Sequence, residues 1–281
     1  MRLASTITSA RIVGPLDSHY MSMNWSQHRV SHMPNSEFEG DSYPGLCEIC
    51  GDGQVFARTH RAIRETYQCQ TCRGLLRERA QASVIVACYA RAGFGTLADL
   101  AKEASFRALC VYEPGATGAF RRYLRGLPMY HQSDYVQESE RGQESAPLPH
   151  QDLESLTYPS SFLDLVISSD ILEHVRRPAV AFQEIARVLK PGGRHIFTVP
   201  LQHPLPAVTV ARVDTSCDDD KILLPERYHG NGKGGRSLVY TDFGGDIIDI
   251  VRQAGFEGTL RTYAASSPLA SKAVTVLTVK R

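Results

Sequence analysis

The sequence predicts an α/β chain: a mostly parallel sheet with helices on both faces, preceded by a small cysteine-bearing segment. Three observations carry this. From about residue 106, strand-length apolar runs alternate with helix-period segments. The first run, in "VYEPGATGAFRRYL" (Val111–Leu124), ends on a carboxylate and a glycine turn, the usual ligand edge of such sheets. Two CxxC pairs lie ahead of the alternation.

Bulk properties narrow the class. With 281 residues, 42% hydrophobic and 22% charged, the composition is that of an ordinary globular protein. Its 31 basic and 30 acidic side chains leave a net charge of +1, so global charge gives no reason to expect nucleic acid or a membrane as partner. No apolar run is long enough to span a bilayer, and "MRLASTITSARIVGPLDSHY" lacks a signal-peptide pattern, so a cytoplasmic protein is expected. Residues 1–42 carry little periodicity and are expected to form a poorly ordered leader.

Residues 43–76 hold "CEIC" (Cys47, Cys50) and "CQTC" (Cys69, Cys72). Each CxxC turn presents two thiolates on one side, and four thiolates make a closed tetrahedral site. This spacing predicts a zinc ribbon, two knuckles separated by a short hairpin, with a structural Zn2+ that folds the segment rather than doing chemistry. Arg58, Arg61, Arg64, Arg73, Arg77 and Arg79 cluster around it. They read as a solvated surface, with a phosphate-binding face as the alternative.

The main body, 77–281, opens with a helical lead-in from Arg77 to Glu103, broken near Gly93–Gly95, with Ala80, Val84, Ala87 and Cys88 on one apolar stripe. Cys88, Cys110 and Cys217 read as core residues. "FRALCVYE" is a buried strand, "ATGAFRRYLRG" a helix and "PMYHQSD" a second strand. "FLDLVISS" is a strongly apolar strand. "PAVAFQEIARVLK" is a helix started by Pro178, with Phe182, Ile185, Ala186 and Leu189 on one face. A Gly-Gly stop follows, then the strand "GGRHIFTVP".

The stretch "FLDLVISSDILEHVRRPAVAFQEIARVLKPGGRHIFTVP", with the closing "YTDFGGDIIDIVRQAGFE" and "KAVTVLTVKR", resembles the class I S-adenosylmethionine-dependent methyltransferases over about Phe106 to Lys280. The resemblance implies a Rossmann-like seven-stranded sheet whose last two strands form an antiparallel edge. It implies S-adenosylmethionine as cofactor. The "EPGATG" loop keeps Glu113, Gly115 and Gly118 of the family's first motif but departs from its Gly-x-Gly-x-Gly spacing. In the family this acid helps hold the cofactor's amino group. The other reading is a tight turn with Glu113 as a capping carboxylate. The resemblance further places Asp134 with Tyr135 at the ribose hydroxyls, Asp152 and Leu153 near the adenine, and Ser169 and Asp170 under the methionyl chain. Asp170 and Glu173 are also spaced as a capping box, a structural reading favoured for Glu173. His174 falls near the methyl group or braces the helix end.

Residues 201–240 interrupt the alternation, and long loops in compact domains are often binding loops. In the family such insertions cover the acceptor side. Methyl transfer to oxygen or nitrogen often needs a general base, which makes His229 and His203 candidates beside His174. The resulting expectation is methyl transfer to a small molecule such as a sugar or natural-product intermediate. The alternatives are an RNA methyltransferase that grips RNA through the ribbon, and a non-catalytic scaffold with a degenerate cofactor loop. A nicotinamide oxidoreductase is disfavoured because Gly-x-Gly-x-x-Gly is missing from the first loop.

Overall fold

The structure, a computed structural model, describes residues 41–90, 95–135, 148–262, 269 and 272–281. The expected leader, apart from its last two residues, and the break at Gly93 lie outside the described residues.

Strands β1 (Ser42–Leu46) and β2 (Gly53–Ala57) pair antiparallel, and Cys47 and Cys50 sit in the turn between them. The hairpin therefore carries the first knuckle instead of separating the two, which corrects the expected ribbon layout. Cys69 and Cys72 follow after a loop and lead into helix α1 (Leu76–Tyr89). The knuckles approach closely at Gly74, where a Cβ would meet the Ile49 side chain at 2.4 Å.

Helix α1 is buried on most of its surface, through Leu76, Arg79, Ala80, Gln81, Val84 and Ile85. Ala87, placed on the apolar stripe by periodicity, is exposed instead. The reason is that α1 lies between the ribbon and the sheet, so two faces are covered where a surface helix covers one. Arg79 is buried under the ribbon. Its guanidinium lies 3.4 Å from the Phe56 ring centroid and donates to Glu48, the Tyr43 hydroxyl and the Tyr67 carbonyl. The rest of the lead-in is two single turns, α2 (Leu97–Leu100) and α3 (Ala104–Arg107).

The main sheet is built from β3 (Val111–Pro114), β4 (Tyr130–Ser133), β5 (Leu163–Ser169), β6 (Leu189–Thr198), β7 (Phe256–Thr262) and β8 (Val274–Lys280). Its spatial order is β7-β8-β6-β5-β3-β4. The pairs β4–β3, β3–β5 and β5–β6 are parallel, and β8 runs antiparallel to both β6 and β7. This is the expected mixed sheet with an antiparallel edge, but six strands are present among the described residues where seven were expected. Among the described residues, beyond β4 there is an isolated parallel bridge between Asp134 and His150.

Helix α4 (Arg121–Leu124) is one turn, shorter than "ATGAFRRYLRG" predicts. Helix α5 (Pro178–Val188) begins on its proline, whose missing N–H costs nothing in a first turn. It buries Phe182, Ile185 and Ala186 on the sheet, and Leu189 beyond its end is buried too. Each such large apolar side chain contributes about 1.5–3 kcal/mol. Helix α6 (Ile247–Gln253) adds Ile247 and Val251 to the same core. Of the three extra cysteines, Cys110 is buried, Cys88 is half-buried, and Cys217 is exposed in the insertion, against the core reading. Among the described residues, no helix is long and apolar enough to cross a membrane.

Candidate active site at the carboxyl edge of the sheet

In a parallel sheet, the loops after the strand ends converge on one edge. Here that edge gathers Glu113 near the end of β3, Asp134 after β4, Asp170 and the turn Leu172–His174 after β5, and part of the 201–240 insertion.

Glu113 is buried. One carboxylate oxygen accepts from the Tyr130 hydroxyl at 2.5 Å, and no ion pair reaches it among the described residues. Burial is the largest influence on its carboxyl, which is pushed up to about 7. Beyond it the chain turns through Gly115 (φ 102°) and Gly118 (φ 153°), conformations that side chains rarely adopt. A Cβ at Gly118 would lie 3.1 Å from the second Glu113 oxygen. That glycine keeps the approach to the carboxylate open.

Asp170 behaves differently. Its carboxylate is gripped by the Arg64 guanidinium at 2.8 and 3.1 Å, with Arg77 Nε at 3.3 Å and the Thr198 hydroxyl at 2.8 Å. Burial alone would raise its carboxyl, but Arg64 and Arg77 outweigh burial and hold it far below the usual carboxylate range. Asp170 is a tether between ribbon and sheet with its lone pairs already used, which sets its expected cofactor role aside. Ser169 is similarly engaged, donating to Gln81, whose amide donates in turn to the Ser168 and Ile196 carbonyls. The capping box is not formed either: the turn Leu172–His174 has no side-chain cap. Arg64, Arg77 and Arg79 are thus committed to internal partners, while Arg58, Arg61 and Arg73 remain exposed.

Asp134 faces the edge but is paired with Lys233 of the insertion. Tyr135 is exposed beside the His150 ring. Leu153 is buried in the core, and Asp152 accepts from the Glu154 amide at 2.8 Å as a turn residue.

Within the insertion, Tyr228–Gly230 and Arg236–Leu238 form a hairpin. Its tip closes on the cofactor-side loops. Gly232 packs so closely on Thr117 that a Cβ would meet the threonine hydroxyl at 2.5 Å, and Lys233 reaches Asp134. Its base brings His229 to the end of β5. There His229 Nδ1 and His174 Nε2 each lie 3.6 Å from the same Glu173 oxygen, and the two rings meet edge-on at 5.1 Å. Glu173 is 1% exposed. Its burial raises its carboxyl, while the neighbouring Glu173 carboxylate raises His229 above the ordinary histidine value. Two of the three expected histidines are thus brought together around an acid read from sequence as a helix cap. His203 is exposed and outside the cluster. The signal that finds Glu173 is a carboxylate beside a histidine in the turn that follows an apolar strand, at a sheet's ligand edge.

The cysteine ligand set is assembled as expected. The four sulfurs lie within 4.8 Å of one another, with Cys47–Cys72 and Cys50–Cys69 at 3.6 Å. Zn–S bonds of about 2.3 Å in a tetrahedron place sulfurs about 3.8 Å apart, so these residues fit a structural metal.

Residues 115–197 match the family model described as a methyltransferase domain. The matched segment runs from the glycine turn through most of β6 and so includes Asp134, Asp170 and the turn Leu172–His174, but neither Glu113 nor the insertion. No curated relative matches the chain. Among solved structures, the CcbJ methyltransferase from Streptomyces caelestis is 15% identical, covering 75% of this chain and 98% of its own, at a TM-score of 0.42. The sugar N-methyltransferase KedS8 from Streptoalloteichus sp. is 15% identical, covering 66% and 85%, at 0.41. An S-adenosylmethionine-dependent methyltransferase from Mesorhizobium loti is 17% identical, covering 62% and 91%, at 0.39.

Proposed function

We propose that the protein is an S-adenosylmethionine-dependent methyltransferase acting on a small molecule such as a sugar or natural-product intermediate. The observation that carries this is Glu113: a buried carboxylate with no ion pair among the described residues, opened by a glycine, two residues ahead of the matched segment. The donor set fits the cofactor. Glu113 offers an acceptor for an ammonium group, Gly115 and Gly118 let ligand atoms approach the backbone, and Asp134 can accept from both ribose hydroxyls once Lys233 shares or leaves it. When bound, the cofactor supplies a methyl group on a positively charged sulfur, and transfer to an acceptor oxygen or nitrogen frees one acceptor proton.

The chain's own groups handle that proton. His229 is the residue to take it, with Glu173 stabilising the imidazolium that forms. His174 is fixed beside them by its Nδ1, 2.7 Å from the Leu238 carbonyl. The insertion hairpin roofs the site and holds the acceptor against it. A small acceptor is favoured because the hairpin tip packs on Thr117 and Asp134 and because three of the six ribbon arginines that motivated an RNA reading bind internal carboxylates.

Calorimetric titration with S-adenosylmethionine, and separately with NADH, tests the cofactor. Micromolar binding of the first alone is expected. Binding of NADH alone would overturn the reading. An acceptor screen would then follow, with small molecules set against RNA.

A further inference from the structure

We propose that Glu173, His174 and His229 form a second metal site, for a divalent first-row transition ion, separate from the four-cysteine site. It rests on these three ligands and not on the methyl-transfer reading.

The first observation is an uncompensated buried acid. Both Glu173 carboxylate oxygens are shielded from solvent and accept no hydrogen bond among the described residues, the nearest candidates being ring nitrogens at 3.6 Å. Burying a carboxylate is costly unless it is paired, hydrogen-bonded or coordinated to a metal. Glu173 is aimed into the space between two imidazoles, and one ligand atom from each of the three residues lies within 4.8 Å of the others.

The second observation is the state of His174. A ring nitrogen 2.7 Å from a carbonyl oxygen must carry the proton and donate it, so Nδ1–H is directed to Leu238. Nε2 is then a bare lone pair, and it is Nε2 that faces Glu173. Metal-binding histidines are characteristically oriented this way, with the distal N–H held by a carbonyl or carboxylate.

The third is scale. Bonds of about 2.0–2.2 Å to nitrogen and oxygen place ligand atoms about 2.8–3.6 Å apart across octahedral and tetrahedral arrangements. The 3.6 Å separations found here need only a small contraction. Two imidazoles and a carboxylate suit zinc, iron, cobalt or manganese better than magnesium or calcium. Three protein ligands also leave positions open for a water or a substrate oxygen. Because His229 belongs to the hairpin that touches Thr117 and Asp134, the ion would staple the hairpin's base to the end of β5. In the metal-loaded protein the three groups serve as ligands and His229 no longer acts as a free base.

The test is metal content and absorption of the full chain loaded with cobalt(II) after chelation and dialysis. Two ions per chain are expected, one in each ligand group. The first gives sulfur-to-cobalt charge-transfer bands, and the second only weak visible bands from nitrogen and oxygen ligands. His229→Ala, on a half-exposed hairpin, should fall to one ion while keeping the sulfur bands, which also report that the ribbon is folded. Glu173→Gln should do the same. One ion per chain in the unaltered protein overturns the site, and so does a second ion that survives both substitutions. Failure of S-adenosylmethionine binding leaves this outcome unaffected, so the two readings fail separately.

Discussion

Glu113 and Asp170 close neighbouring parallel strands of one sheet, both are shielded from solvent, and their carboxyls are driven in opposite directions. Asp170 has two arginines and a threonine; Glu113 has one tyrosine hydroxyl. Both read as cofactor residues from sequence. The difference shows that a buried acid with all its lone pairs matched maintains the fold, whereas one left short of positive charge is available to a ligand. The two also link stability to pH with opposite signs. Asp170, with a carboxyl below its unfolded value, contributes stability that is present above about pH 4 and lost on acidification. Glu113, raised to about 7, favours folding while protonated, and that contribution is lost as pH rises from about 4.3 through 7.

The contrast can be broken most completely from a distance. Cys47→Ser is expected to abolish metal binding at the four-cysteine site and loosen the 42–76 segment, withdrawing Arg64 from Asp170; metal content and limited proteolysis check this. Full metal content in a protease-resistant variant would contradict it. Next in size is Asp170→Asn, which takes the charge from between two part-buried guanidinium groups, Arg77 keeping Glu65, and should cost about 1–3 kcal/mol of stability by denaturant titration. Glu113→Gln sharpens the contrast. Stability at pH 7 should hold or rise, while cofactor affinity drops roughly 10- to 100-fold, the scale of a charge-assisted hydrogen bond. In the unaltered protein, cofactor binding at pH 6 should release a proton from Glu113, read as a buffer-dependent calorimetric enthalpy, and this release should vanish in Glu113→Gln. Smallest is Lys233→Ala. It frees Asp134 from a part-exposed ion pair and should change cofactor affinity by less than about fivefold.

Much of the fold was legible because its signals are local. The apolar run "LDLVISS", the proline at the start of α5 and the CxxC spacing each specify structure within a dozen residues. The site was only partly legible. Histidine near a strand end identified His174, and the insertion identified His229, but their meeting at Glu173 depends on a hairpin more than fifty residues further on. "SSDILEHV" carries a locally plausible capping box, and local pattern could not reveal that Arg64 claims its aspartate from across the ribbon. Asp152 and Leu153 were placed by analogy of position. The structure buries Leu153 and uses Asp152 in a turn, details that a motif's spacing does not specify.

The tether between Arg64 and Asp170 also bears on how this chain can be divided or recombined. Its amino-terminal module is not a detachable accessory. A version starting at β3 would lose α1, expose the Ser168 and Ile196 carbonyls that Gln81 now serves, and leave Asp170 with neither arginine. Grafting this sheet onto another leader, or exchanging leaders between related chains, succeeds only if the newcomer brings cations at the Arg64 and Arg77 positions. Sequence change on the two sides of that seam is therefore constrained to occur in concert.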